Sequence, residues 1–152
     1  MENKMKKTLL FILLLIVGCS KIEGKQDLIP IVETYEYGDI KSITYHKIIG
    51  NKIELFKIMN WYKNGQKKEE GTYKDGKQDG LWTSWYKNGQ KMYEGAYKDG
   101  KADGKWTRWY EDGQKMETTY KDGYEDGKWT IWDKNGKKSS EGTYKDGKMI
   151  VE

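Results

Sequence analysis

Of the residue types that most often carry chemistry, this chain of 152 residues has almost none: one cysteine, one histidine, one proline and one arginine. A single cysteine, Cys19, excludes a disulfide or a thiolate-rich metal site within one chain. The lone histidine, His46, has no other thiol to work with, and a Ser-His-Asp arrangement would have to recruit Ser42 from the same β-rich stretch. A surface strand histidine is the simpler reading. Long hydrophobic runs are equally scarce. The one example, Leu9–Val17, is shorter than the roughly 20 residues that span a bilayer as a helix. With two phenylalanines against seven tryptophans and twelve tyrosines, much of the apolar surface belongs to rings with a polar handle. No catalytic residue, metal ligand or cofactor is expected, and the chain is read as a non-enzyme.

The basic start (Lys4, Lys6, Lys7) followed by that apolar run has the form of a secretory signal, with Met5 an equally good first residue. Its end, Ile16-Val17-Gly18-Cys19, resembles the bacterial lipobox. The resemblance implies that residues 1–18 are a lipoprotein signal peptide forming a helix, and that Cys19 becomes an acylated N-terminus. Two or three acyl chains hold a protein on a membrane where one is marginal. The expected location is therefore the bacterial cell envelope, and the outer membrane if the cell has one, because Ser20 is not the aspartate of inner-membrane retention. Loss of residues 1–18 removes three lysines and one glutamate and takes the net charge from +4 to +2. Lysines interleaved with acidic residues at so low a net charge argue against nucleic acid as a partner.

Residues 19–34 lack any period and contain Pro30, which reads as a flexible tether. Residues 35–60 hold two β-rich stretches split by Gly50-Asn51, a divergent hairpin capping one end of an array. From 61 to 152 the text repeats: Trp61, Trp85, Trp109 and Trp132 open units 24, 24 and 23 residues apart. Each unit runs through Asn-Gly or Asp-Gly, then Tyr-Lys-Asp-Gly, and three of them reach Trp-Thr-x-Trp. A fixed period of this length marks stacked supersecondary units. Glycine every few residues, between tyrosine, tryptophan and threonine, excludes helix and favours strands.

The dipeptides Asn64-Gly65, Asn88-Gly89, Asp112-Gly113 and Asn135-Gly136 suit two-residue type I′ hairpins. Counting outward from Asn88-Gly89 sets Trp85 against Met92, Thr83 against Glu94 and Trp82 against Gly95. Trp82, Tyr86, Tyr93 and Tyr97 then share one face. The same count sets Ile58 against Gly71 and Trp129 against Gly142. A glycine opposite an indole gives the ring a bare backbone to lie on. In the third unit METTY (116–120) is one residue shorter than MYEGAY (92–97), so either the longer units carry a bulge or Trp106 meets Thr119 in place of glycine. The bulge is favoured, since Tyr120 and Asp122-Gly123 resume the pattern.

The stretch Tyr93–Gly104, YEGAYKDGKADG, resembles a MORN repeat, and the whole of 61–152 is closer still to the bacterial MORN-repeat variant. The resemblance implies an all-β fold: a single-layer, elongated β-meander of stacked hairpins, curved like a trough and lined by aromatic rings. It also implies a surface for a protein partner. The binding candidates are Trp82, Trp85, Trp106, Trp109, Trp129, Trp132, Tyr86 and Tyr110. Two alternatives stand beside this. The first is a glycan or cell-wall binding module using exposed Trp and Tyr, since WYxNGQK is similar to choline-binding repeats, although those have a shorter period. The second is an antitoxin-like component, which a secreted lipoprotein does not suit. The Asp75/Asp79, Asp99/Asp103 and Asp122/Asp126 pairs recur as turn residues, and D-G-K-x-D-G lacks the third acidic ligand of a calcium loop. Open sheet edges would also permit self-association.

Overall fold

A computed structural model describes residues 28–150. The described chain is one antiparallel sheet of eleven strands in strict sequence order. The strands are β1 (Ile29–Thr34), β2 (Ile40–Ile49), β3 (Lys52–Trp61), β4 (Lys67–Lys74), β5 (Lys77–Trp85) and β6 (Lys91–Lys98), followed by β7 (Lys101–Trp109), β8 (Lys115–Lys121), β9 (Tyr124–Trp132), β10 (Lys138–Lys145) and β11 (Lys148–Ile150). The all-β, single-layer meander implied by the repeats is what forms. The signal helix and Cys19 lie outside the described residues. Of the stretch expected to be a tether, Ile29–Thr34 is instead a strand paired with β2. Alternating aliphatic residues favour it, and Pro30 is tolerated because β1 is an edge strand.

Two kinds of turn alternate along the sheet. The Asp-Gly turns are the two-residue type I′ loops: Asp99 and Gly100 take φ of 50° and 85°, and Lys98 pairs with Lys101 around them. The Asn-Gly turns are not type I′, which corrects the sequence reading. Only Gly89 takes a positive φ there, and Asn88 does not. Gly89 N–H donates to Tyr86 O (3.0 Å) and Tyr86 N–H to Gln90 O (2.8 Å), so Lys87-Asn88-Gly89 form a three-residue loop closed by the glycine. Asn88 is used for its side chain: Oδ1 accepts from Gln90 N–H at 2.9 Å, a bond that suits negative φ.

This error cancels itself in the register. The longer loop advances the pairing by one residue, so Trp85 faces Lys91 and not Met92. A bulge at Met92 then restores it, and Ser84 faces Tyr93, Thr83 faces Glu94 and Trp82 faces Gly95 as expected. Ile58 opposite Gly71 and Trp129 opposite Gly142 also hold. The shortened third unit lacks the bulge: β7 and β8 pair without interruption from Trp109–Lys115 to Gly104–Tyr120. The bulge reading is therefore the right one.

The expected N-terminal cap contains the Gly50-Asn51 hairpin, with Ile49 against Lys52. It also hides a unit. Tyr35 N–H donates to Asp39 O and Gly38 N–H to Tyr35 O, repeating the loop that Tyr86–Gln90 makes. Only the Y-x-x-G spacing of Tyr35 and Gly38 could have revealed it.

Among the described residues no apolar side chain is fully buried. A single layer has nothing to cover its faces, so the rings and strand stems bury one another by halves. Neighbouring units are also tied along both margins. Tyr35, Tyr62 and Tyr86 Oη donate to the carbonyls of Trp61, Trp85 and Trp109 (2.7, 2.8 and 2.8 Å). On the opposite margin Gly100, Gly123 and Gly147 N–H groups donate to Gln78, Ala102 and Glu125 carbonyls.

The turn assignment can be tested by substitution. Asn88→Ala keeps an ordinary φ and loses two exposed side-chain bonds, both to Gln90, so it should cost under about 1 kcal/mol. Gly89→Ala must hold φ at +85° with its Cβ 2.8 Å from Gln66 Oε1, and should cost about 1–2 kcal/mol. Thermal denaturation of the two variants decides, and equal large losses would restore the type I′ assignment.

Candidate functional site

The glycines that matter for the site are those beneath indoles. A Cβ built on Gly71 would overlap the Trp82 ring, and one on Gly95 would overlap the Trp106 ring. Each indole thus lies on the glycine of the preceding strand. The count from sequence seats Trp82 on Gly95, its partner in the following strand, and that part is corrected. Seated this way, the indole N–H groups of Trp82 and Trp106 reach Thr72 O (3.3 Å) and Ala96 O (3.0 Å).

The third unit shows what the seat does. Thr118 stands where Gly71 and Gly95 stand, is itself only 5% exposed, and lies opposite Trp129. Its Cβ keeps the Trp129 ring off the backbone. Trp129 leans toward Gly142 instead, and its Nε1 is left buried without a partner. The ring stack breaks at the same place. Tyr73, Trp82, Tyr97, Trp106 and Tyr120 form an unbroken edge-to-face series with centroids 4.9–6.2 Å apart. Trp129 pairs only with Tyr144, at 6.4 Å and a tilt of 46°.

Over the middle of this series lies an open hollow of about 620 Å³, floored by Trp82, Tyr97, Trp106 and Tyr120. Glu69, Gln78, Arg108 and Glu125 give it polar walls. Burial pushes the Tyr97 and Tyr120 phenols above their ordinary range, with Glu125 adding to the effect at Tyr120. Both are neutral donors at physiological pH. Arg108, exposed at one side, stacks its guanidinium 5.1 Å from the Tyr93 ring and 4.3 Å from the Tyr110 ring.

The eight candidate residues fall into three groups. Trp82 and Trp106 line the hollow, and Trp129 continues their row. Trp85, Trp109 and Trp132 lie beneath the ammonium groups of Lys67, Lys91 and Lys115 (5.1, 5.6 and 4.0 Å), which strand alternation places on the other face. Tyr86 ties its hydroxyl to Trp109 O, and Tyr110 lies under Arg108. All eight are half-buried. The sequence reading placed Tyr97 on this face without counting it among the binding candidates, and it missed Arg108 and Glu69 as members of the face. Their signal was there as register, but no residue type drew attention to them.

The lysines over those indoles also pair with glutamates: Lys67 with Glu70 at 2.9 Å, Lys91 with Glu94, Lys115 with Glu117 at 3.1 Å. Partial burial raises the Glu117 carboxyl, but hydrogen bonds from Lys105 and Lys115 outweigh it and hold the group below its ordinary range. The recurring aspartates act between turns, Asp126 accepting from Lys145 Nζ and Asp146 N–H. Among the described residues no group of three or more His, Cys, Asp or Glu side chains is placed to hold a metal.

A single-layer sheet of stacked hairpins sharing one aromatic face defines a repeat-based binding module. Residues 59–75, 78–99, 102–122 and 125–146 match the family described as MORN repeat variant. These matches cover more than half of the chain, and the chain belongs to that family, whose repeats generally bind and do not catalyse. No curated protein matches the chain.

Two substitutions probe the seats. Gly95→Ala should destabilise the fold by about 1–3 kcal/mol, because backbone and indole cannot both stay. Thr118→Gly should let Trp129 drop onto the backbone and bond Thr119 O. A blue shift of tryptophan emission with protected indole N–H exchange would report this, and unchanged spectra would refute the seat. Acid probes the opposite face. Glu117 has a depressed pKa, so its contribution is present above the ordinary glutamate pKa and is lost as pH falls through the folded value. Stability should therefore decline below about pH 4.5, and less steeply in Glu117→Gln.

Proposed function

We propose that this protein is a non-enzymatic, lipid-anchored component of the bacterial cell envelope whose aromatic face holds a protein partner. The observation that carries the reading is the hollow over Trp82, Tyr97, Trp106 and Tyr120, walled by Arg108, Glu69 and Glu125. Aromatic rings and arginine are the residues enriched at the buried centre of protein contacts, and carboxylates at the edge suit the polar rim around it. The glycan alternative is less favoured by the same rings. Sugar stacking needs a flat ring face open to solvent, whereas these rings meet edge to face and are half-buried. The anchor is Cys19, through the lipobox-like Ile16–Cys19 sequence.

Cys19→Ala should move the protein from the membrane to the soluble fraction of cells, and if it stays in the membrane fraction the anchor is wrong. Cross-linking in intact cells should give a discrete protein adduct. Retention on purified cell-wall glycan, with no protein adduct, would overturn the partner reading in favour of the glycan one.

A further inference from the structure

The four units differ most on the aromatic face. On the lysine-and-glutamate face Thr83, Thr107 and Thr130 are alike, as are Glu70, Glu94, Glu117 and Glu141, although Leu81 stands where Lys105 and Lys128 do. On the aromatic face one changing column, Gln78, Ala102, Glu125 and Met149, pairs with the constant tyrosines, and two further columns change in every unit and pair with each other. One, the residue before each unit's opening Trp, reads Asn60, Ser84, Arg108, Ile131. The other, the residue before each of those glutamates, reads Glu69, Tyr93, Met116, Ser140.

The register joins these two columns into one line. Asn60 faces Glu69, which faces Ser84, which faces Tyr93. Tyr93 faces Arg108, which faces Met116, then Ile131, then Ser140. A single row thus crosses β3 to β10 beside the constant aromatic floor. Its members Glu69, Ser84, Tyr93, Arg108 and Met116 line the hollow. The fold tolerates variety at these positions, since each unit carries a different residue there and still forms a hairpin of the same sheet.

We infer that this row is the recognition site for an extended polypeptide segment laid across the strands, with a carboxylate at Arg108 and apolar side chains over Met116 and Ile131. The inference deepens the proposed protein-binding role and rests on it. Three observations select this occupant. Arg108 is the chain's only arginine, and among the described residues no carboxylate pairs with it. Held between the Tyr93 and Tyr110 rings, its fork is pre-organised for a carboxylate. The row runs from polar (Asn60, Glu69, Ser84) through Tyr93 and cationic Arg108 to apolar (Met116, Ile131) and closes on Ser140, so that only serine occurs twice. A polymer of identical sugars would be matched by identical sites, whereas a polypeptide presents a new side chain at each step. Strand spacings of about 4.8 Å make the row about 34 Å long, the span of roughly ten residues of extended chain.

Selection of a displayed dodecapeptide library on the full-length protein tests this directly. The expected result is an enriched sequence family with an Asp or Glu beside apolar residues. Arg108→Ser and Ile131→Ser, which import the residue that Ser84 already provides in a sister unit, should each lose roughly tenfold in affinity for the selected peptide. Both variants should stay folded with only small losses in melting temperature, and Glu117→Gln on the opposite face should bind like the parent. Selected peptides that bind both row variants undiminished would overturn this site while leaving a protein partner in place. Failure to enrich any peptide, with the protein retained on purified cell-wall glycan, would overturn both.

Discussion

The aromatic face of this sheet depends on an indole lying against a glycine of the neighbouring strand. Trp82 on Gly71 and Trp106 on Gly95 put a large ring where a Cβ would stand, which brings the ring plane down onto the sheet. The next tyrosine can then meet it edge-on. Each aromatic pair of this kind contributes about 0.5–1.5 kcal/mol beyond the area it buries. Exposed lysine–glutamate pairs contribute about 0–1 kcal/mol and are screened by salt. With no fully buried apolar side chain among the described residues, the ring series stabilises the sheet more than the ion pairs do and serves as its core.

A core lying on one face divides the work between the two faces. The lysine, glutamate and tryptophan face repeats because its contacts join neighbouring strands and have to match from unit to unit. The margins repeat for the same reason, through tyrosine hydroxyls on one side and turn-glycine N–H groups on the other. Stability is then the sum of what each unit and each contact between neighbours contributes, as in other linear arrays. The row from Asn60 to Ser140 lies outside the contacts of that face and of the margins. It can vary, and it lies where a partner would touch.

Much of this was legible in the letters. Period, strand content and the register at Thr83–Glu94 follow from glycine and aromatic spacing, and the missing bulge follows from one deleted residue before Glu117. Three things were not. Asn-Gly serves both a type I′ turn and a three-residue loop, and the choice rests on whether asparagine is used for its φ or for its side chain, as Asn88 is. Which of two flanking glycines an indole covers is a matter of side-chain direction, which pairing alone does not set. Tyr35–Asp39 hid a unit because Tyr37 stands where the later units have asparagine or aspartate.

If the indole seats are the core, the rings and the strands must lose their order together. Urea unfolding followed at once by near-ultraviolet circular dichroism of the tryptophans and far-ultraviolet circular dichroism of the sheet tests this most directly. Superimposable transitions with one midpoint are the predicted result. A sheet signal that persists after the tryptophan signal has collapsed would contradict it.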